Sequence, residues 1–159
     1  MKQHLIVMIV VVILGTTALA GSPNASPLVG SWSVDIARLP IPLEARPKSV
    51  TITFNQSGDG MWTTRVEVVG PDGSKSHAEG IATLDGTPAP VNGNLEADLA
   101  AGKLPAPNVL VMMLSRAGVP ASTRIYVVAA DGESMVETAA YFEKDGRPVM
   151  RTNYFTRIR

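Results

Sequence analysis

Apolar and polar side chains alternate along several stretches of this chain. Val50, Ile52 and Phe54 alternate with polar residues, and the same pattern recurs from Trp62 to Val68 and from Val136 to Phe142. A period of two, rich in β-branched residues, is typical of strands with one buried face. The predicted strands are 30–37, 48–56, 61–69, 75–84, 108–116, 121–130, 134–143 and 148–157.

Five Asp-Gly pairs divide the chain at regular intervals. They begin at Asp59, Asp72, Asp85, Asp131 and Asp145. Asp and Gly tolerate the positive φ angles that tight hairpin turns need. The steps of 13 residues between the first three pairs and of 14 between the last two leave roughly ten residues for each strand. The spacing therefore predicts long antiparallel strands joined in chain order.

An open sheet of such strands would expose two edges, and closure into a barrel removes both. We therefore predict an all-β, up-and-down antiparallel barrel of about eight to ten strands. Leu39 to Pro47 contains three prolines, which lack the N–H donor of a ladder, so we predict a large loop over one barrel mouth. Residues 93–107 fit either a short helix capped by Asn94 or a ninth strand.

The first 20 residues have the pattern of a cleaved export signal. Lys2 precedes an apolar run from Leu5 to Leu14, and Ala18-Leu19-Ala20 has the small-x-small pattern that signal peptidase reads. The run is shorter than the roughly 18 to 20 residues needed to span a bilayer. This favours cleavage near Ala20, and a periplasmic or secreted protein, over anchoring by an uncleaved N-terminal helix. The predicted divisions are a signal peptide over 1–20, a flexible leader over 21–27 and one domain over 28–159.

The composition of the mature chain argues against several classes of function. Of the 14 basic residues, Lys2 is lost with the signal, so 13 remain against 14 acidic residues and the net charge is −1. Such a chain has no basic field that would attract nucleic acid. It also has no cysteine, which excludes disulfides, thiolate metal sites and a cysteine nucleophile. We therefore expect no nucleic-acid partner.

Candidate catalytic residues are sparse. His77 is the single histidine after the predicted signal, and no Gly-x-Ser-x-Gly motif accompanies it. One histidine without cysteine is also a poor metal-ligand set. Four carboxylates alternate along strands as outward faces do, which disfavours a pair for glycoside hydrolysis. They are Glu67, Glu79, Glu137 and Glu143. We expect no enzymatic activity, no metal and no cofactor.

The domain opens with Leu28-Val29-Gly30-Ser31-Trp32-Ser33-Val34-Asp35. This segment resembles the Gly-x-Trp start of lipocalin-like (calycin) barrels, especially small secreted bacterial proteins that form a group without an assigned biochemical role. The likeness continues through Pro47 to Ile52, the turns at Asp59-Gly60 and Asp85-Gly86, and a last strand ending near Arg157. The resemblance implies a small up-and-down barrel whose interior can hold an apolar ligand.

The same resemblance implies structural roles at one end of the barrel. Trp32 would close that end, with a basic residue of the final strand, Arg157 or Arg159, packed across its ring. Gly30 belongs to the same closure motif.

Aromatic and methionine side chains on the predicted strands are the candidates for a ligand pocket. The inward set that starts with Val50 and Ile52 continues to Trp62, because the opposite register would put charged residues inside the barrel. The predicted ligand-binding residues are Phe54, Trp62, Val66, Met112, Tyr126, Phe142 and Tyr154. An eight-stranded barrel is only just wide enough for its own side chains or one small ligand, so a filled core is the alternative.

The stretch from Asn108 to Leu114 is apolar on both faces. Its outer face indicates a second possible function, a packed scaffold in the cell envelope that meets a protein partner through Val109 to Met113. A transmembrane barrel is disfavoured, because aromatic girdles are sparse and the chain ends Arg157-Ile158-Arg159. The favoured function is binding of a small apolar molecule inside the barrel, without catalysis.

Overall fold

The computed structural model describes residues 25–57 and 59–159, so the predicted signal peptide and residues 21–24 of the leader lie outside it. Within the described residues, ten antiparallel strands close into one barrel. The strands are β1 (Gly30–Val34), β2 (Ser49–Gln56), β3 (Trp62–Val69), β4 (Lys75–Ala82), β5 (Ala89–Gly93), β6 (Leu99–Ala106), β7 (Val109–Arg116), β8 (Val119–Val128), β9 (Ser134–Phe142) and β10 (Pro148–Ile158). The predicted all-β, up-and-down barrel is confirmed, and the architecture is consistent with a lipocalin-like fold.

The barrel closes because the first strand pairs with the last. Trp32 lies opposite Arg157 of β10 on one side and opposite Ile52 of β2 on the other. Every other neighbouring pair is consecutive in the chain. Helical structure in the described part is restricted to two short 3-10 turns, and no helix there is long and apolar enough to cross a bilayer.

β6 occupies much of residues 93–107, the stretch for which the sequence left a helix and a strand open, and β5, which was not predicted, lies just before it. The helical alternative is wrong, since residues 94–98 form bends and Leu99–Ala106 is extended. The ladder between β5 and β6 consists of two pairs, Ala89 with Ala100 and Pro90 with Leu99. Proline lacks an N–H group and therefore shortens such a ladder.

The five Asp-Gly pairs lie at turns between strands. The glycines have φ between 69° and 95°, a region that side chains other than glycine rarely adopt. Each aspartate accepts a hydrogen bond through Oδ1 from the backbone N–H two residues later, at 2.8 to 3.1 Å. This Asx arrangement fixes each reversal locally.

One end of the barrel, which we call the closed end, is sealed by Trp32. The indole is fully buried, and its Nε1 donates to the carbonyl of Leu28 at 2.8 Å. The Arg157 guanidinium lies 4.1 Å from the ring centroid and donates to the carbonyls of Val29 at 2.8 Å and Gly132 at 2.7 Å. Arg157 therefore joins the start of the domain, the final strand and a turn around one indole.

Gly30 has φ +128°, and a Cβ atom at this position would overlap the Arg157 guanidinium. Glycine is therefore required here on both conformational and steric grounds. Arg159, the other predicted closure residue, lies elsewhere: it is 84% exposed and pairs with Glu133 at 3.2 Å. It follows the end of β10, so it cannot reach the Trp32 ring, and its assignment to the closure is wrong.

The opposite end, the mouth, is covered by the long loop between β1 and β2. Leu39, Ile41 and Pro47 of this loop line the interior. Arg46 braces the loop by donating to the carbonyls of Ile41 at 3.1 Å and Ala37 at 2.9 Å. The sequence-based prediction of a loop over one mouth agrees with this placement.

Candidate functional site

The barrel contains a cavity of about 380 Å³ between the mouth and the closed end. This volume falls within the range of small-molecule sites in proteins. Most of its lining is apolar, including Val50, Ile52, Val66, Val68, Met112 and Leu114. An apolar molecule placed here would be removed from water on most sides.

A cluster of aromatic rings crosses the barrel next to the cavity. The ring centroids of Phe54 and Trp62 are 5.8 Å apart, those of Phe54 and Tyr126 5.4 Å, and those of Tyr126 and Phe155 6.4 Å. These separations are typical of favourable aromatic pairs. Trp62, Tyr126 and Phe155 line the cavity, so the cluster gives it a rigid aromatic wall.

The structure brings five of the seven predicted ligand-binding residues together. Trp62, Val66, Met112 and Tyr126 line the cavity, and Phe54 is fully buried in contact with two of these rings. These residues come from four different strands, so no local motif joins them.

Phe142 and Tyr154, the other two, lie outside the barrel. Phe142 is 72% exposed, and the ring of Tyr154 lies under the Arg38 guanidinium, 3.2 Å from the centroid. Met135 on β9 and Phe155 on β10 lie an odd number of residues from Phe142 and Tyr154, respectively, and both are buried. Because side chains alternate strictly along a strand, one buried residue fixes the facing of all the others. The inward prediction for Phe142 and Tyr154 is therefore wrong.

A polar cluster on β8, β9 and β10 was missed by the sequence analysis. Glu137 is 3% exposed and accepts hydrogen bonds from Arg124 Nη1 at 2.7 Å and from Asn153 Nδ2 at 2.5 Å. Arg124 also donates to Ser122 Oγ at 3.0 Å and forms an ion pair with Glu96. The burial of Glu137 shows that its predicted outward position is wrong. The other three carboxylates are accessible to solvent: Glu67 and Glu143 are exposed, and the side chain of Glu79 is 40% exposed.

The polar cluster faces a mainly apolar side of the cavity formed by β4. β9 and β4 lie five positions apart in the ring of ten strands, so they occupy opposite sides of the barrel. The β4 side contributes Ala78, Gly80 and Ala82 to the lining, together with Glu79, whose side chain is 40% exposed and ion-paired on the outside of the barrel, while the β9 side contributes Glu137. The cavity therefore has one mainly apolar side and one side with buried hydrogen-bonding groups.

The buried charges shift the acidity of their neighbours. Burial by itself would lower the pKa of Arg124, but the negative charges of Glu137 and Glu96 outweigh it and raise the pKa above the ordinary value. Burial, reinforced by the Glu137 carboxylate, raises the pKa of the Tyr126 phenol well above its ordinary value. Tyr126 is therefore held neutral in the folded protein.

We expect Tyr126 to remain un-ionised in the folded barrel at a pH of about 11, where an exposed tyrosine titrates. The folded pKa is raised, so this residue's contribution to stability is complete below the unfolded pKa of about 10 and is lost as the pH rises beyond it. Absorbance at 295 nm measures tyrosinate directly. At pH values below the alkaline unfolding transition, the increase in absorbance at 295 nm should be as large in Tyr126→Phe as in the wild type. A smaller increase in the variant would show that Tyr126 ionises in the folded protein.

Three buried polar atoms have no hydrogen-bond partner among the described residues: Trp62 Nε1, Arg151 Nε and Asn153 Oδ1. All three residues line the cavity. An unpaired buried donor or acceptor costs free energy, so such atoms are usually satisfied in a functional state. Water or a bound molecule in the cavity would supply the missing partners.

Comparison with known proteins adds no assignment. No protein-family model matches this chain, and a search of curated proteins gives no significant match. Within residues 25–57 and 59–159, no group of three or more His, Asp or Glu side chains is placed to hold a metal ion.

Proposed function

We propose that this protein binds a small, largely apolar molecule inside the barrel, and that it does so as an exported member of the lipocalin-like bacterial group it resembles. The observation that carries the proposal is the cavity of about 380 Å³ with a mostly apolar lining. Burial of apolar surface in such a site stabilises a complex by roughly 25 cal/mol per Å² before the costs of association. The barrel supplies this environment largely preformed.

The covering of the mouth supports the same function. Leu39 and Ile41 bring apolar side chains from the loop between β1 and β2 to the cavity. The loop contains a proline at each of positions 40, 42 and 47, which limits its backbone freedom. We propose that a ligand enters past this loop and is then shielded by it.

We expect Nile red, an uncharged apolar dye, to bind with a dissociation constant in the micromolar range or below, as is common for such pockets. Trp62 lines the cavity, so its emission should change on binding. Trp62→Ala should weaken binding, and because loss of this buried indole also destabilises the barrel, the comparison is made at a temperature at which circular dichroism shows the variant to be folded. Fluorescence titration measures both effects.

Phe142→Ala is the matched control for this titration. It also removes an aromatic ring from a strand, but this ring is exposed on the outside of the barrel. It should leave Nile red binding unchanged. Equal loss of affinity in both variants, or no binding to the wild type, would contradict binding in the cavity.

The outer face of β7 supports a second candidate, contact with a protein partner. Met113 is 63% exposed, and Val111 lies beside Ile125 of β8 on the same outer face. A patch of this kind is a common feature of interaction surfaces. If apolar probes do not bind, Met113→Lys tests this candidate, because a charge on the patch should abolish association with the partner while leaving the barrel folded.

A further inference from the structure

Two of the unpartnered polar atoms belong to neighbouring inward positions of one strand. Arg151 and Asn153 are two residues apart on β10, and their side chains therefore point to the same side. Arg151 lies opposite the fully buried Ala139, and Asn153 lies opposite Glu137. Arg151 Nε and Asn153 Oδ1 thus form a pair of groups on the polar side of the cavity that no atom of residues 25–57 or 59–159 hydrogen-bonds.

The chemistry of this pair is fixed by Glu137. A carboxylate only accepts hydrogen bonds, so the Asn153 amide must turn its nitrogen toward Glu137. Its oxygen, an acceptor, is left unmatched. Arg151 Nε is a donor only. A molecule that satisfies both atoms must therefore present one acceptor and one donor.

The charges around this pair disfavour an anionic molecule. Arg124 forms ion pairs with Glu137 and Glu96, so these three residues carry one net negative charge. Arg151 balances that charge across the polar side of the cavity. A carboxylate placed here would add an uncompensated negative charge in a partly dry site and would set acceptor against acceptor at Asn153 Oδ1.

We propose that the ligand is an uncharged amphiphile whose head is an alcohol or a primary amide, hydrogen-bonded between Arg151 Nε and Asn153 Oδ1, with its apolar chain along the opposite side of the cavity. This inference rests on the proposed function and specifies the class of ligand for the same site. An alcohol or a primary amide carries both a donor and an acceptor on one small group.

The volume of the cavity sets the size of the ligand. The cavity of about 380 Å³ lies near the lower end of the roughly 300 to 1,000 Å³ typical of ligand pockets, which limits the ligand to a small molecule. Molecules with a ten-carbon chain and a small head meet this limit. They are therefore suitable probes.

The test is competition of four compounds that share an unbranched ten-carbon chain against Nile red on the folded protein, at a pH of about 8 where a fatty acid is ionised. 1-Decanol and decanamide offer a donor and an acceptor, methyl decanoate offers acceptors only, and decanoate is an anion. We expect the alcohol and the amide to bind about tenfold more tightly than the ester and the anion. Decanoate or methyl decanoate binding as tightly as 1-decanol would overturn the inference.

Arg151→Met separates the head-group site from the cavity itself. It removes the donor but retains an unbranched apolar stem, so we expect Nile red to bind as before while the preference for 1-decanol and decanamide disappears. Arg147→Met, in the exposed turn between β9 and β10, is the matched control and should retain the preference.

The outcomes distinguish the two proposals. Binding of Nile red without any head-group preference in the wild type, or a preference that survives in Arg151→Met, refutes the head-group inference alone. Failure of Nile red and of all four compounds to bind refutes the proposed function as well.

Discussion

Trp32→Ala is expected to lower the free energy of unfolding by about 3 to 5 kcal/mol, the usual cost of removing a buried large aromatic side chain. The indole is fully buried, donates a hydrogen bond to the carbonyl of Leu28 and packs against Arg157. Because domains of this size have about 5 to 15 kcal/mol of stability, this loss would remove a large fraction of the stability of the barrel. Urea denaturation followed by circular dichroism measures it.

Two arginines near the end of the chain provide the control. Arg157 covers the Trp32 ring and donates to backbone carbonyls, whereas Arg159 is exposed. Arg157→Ala should therefore destabilise the barrel by more than about 1 kcal/mol, since it removes a cation–π contact and several hydrogen bonds. Arg159→Ala should cost less than about 0.5 kcal/mol. Equal effects of the two variants would show that Arg157 does not hold the closed end together.

Glu137→Gln is expected to destabilise the protein by about 3 kcal/mol, because it removes the charge of a buried ion pair and leaves Arg124 with Glu96 alone. Loss of one partner is more harmful than loss of both, since the remaining charge stays in a poorly hydrated site. The double variant Arg124→Met with Glu137→Leu should therefore be more stable than Glu137→Gln. Thermal and chemical denaturation of the three proteins compares them.

Glu67→Gln is the matched control for the buried carboxylate. Glu67 forms an ion pair with Arg65 on the outside of the barrel, and both side chains are about half exposed. Surface pairs contribute about 0 to 1 kcal/mol, so this variant should behave like the wild type. If Glu137→Gln lowered the free energy of unfolding as little as Glu67→Gln, water would have to reach the polar cluster freely.

The strands and their connections were predictable because local signals and the global fold agree. The Asp-Gly turns contain their own hydrogen-bonding aspartates, and all five adopt the positive φ that the pair predicts. Alternation identified eight of the ten strands, from which closure followed. β5 and β6 carried no such signal: Pro90, Gly93 and Pro105 interrupt them, and alanine fills positions where β-branched residues mark other strands.

The facing of β9 and β10 could not be obtained from apolar alternation, because the apolar set that includes Val136 and Phe142 faces out. The informative signal was that residues two positions apart on β8 face the same side of the sheet. Tyr126 was predicted to face inward, and Arg124 lies two residues away on the same face. A buried arginine needs an acidic partner, and the alternation of β9 offers Glu137. The pairing of Arg124 with Glu137 depends on β8 and β9 lying side by side in a known register, which the sequence alone does not fix.

Closure through β1 and β10 also dictates when this barrel can form. Arg157 donates a hydrogen bond to the carbonyl of Val29, 128 residues earlier in the chain. The pairing of β1 with β10 is therefore among the longest-range contacts in this fold. A chain that emerges N-terminal end first, from a ribosome or through a translocation pore, exposes the edges of β1 and of its newest strand until β10 has followed. Such open edges pair readily with other chains. The barrel therefore cannot close until β10 is available. We expect chains that end before this strand to aggregate rather than form a smaller barrel.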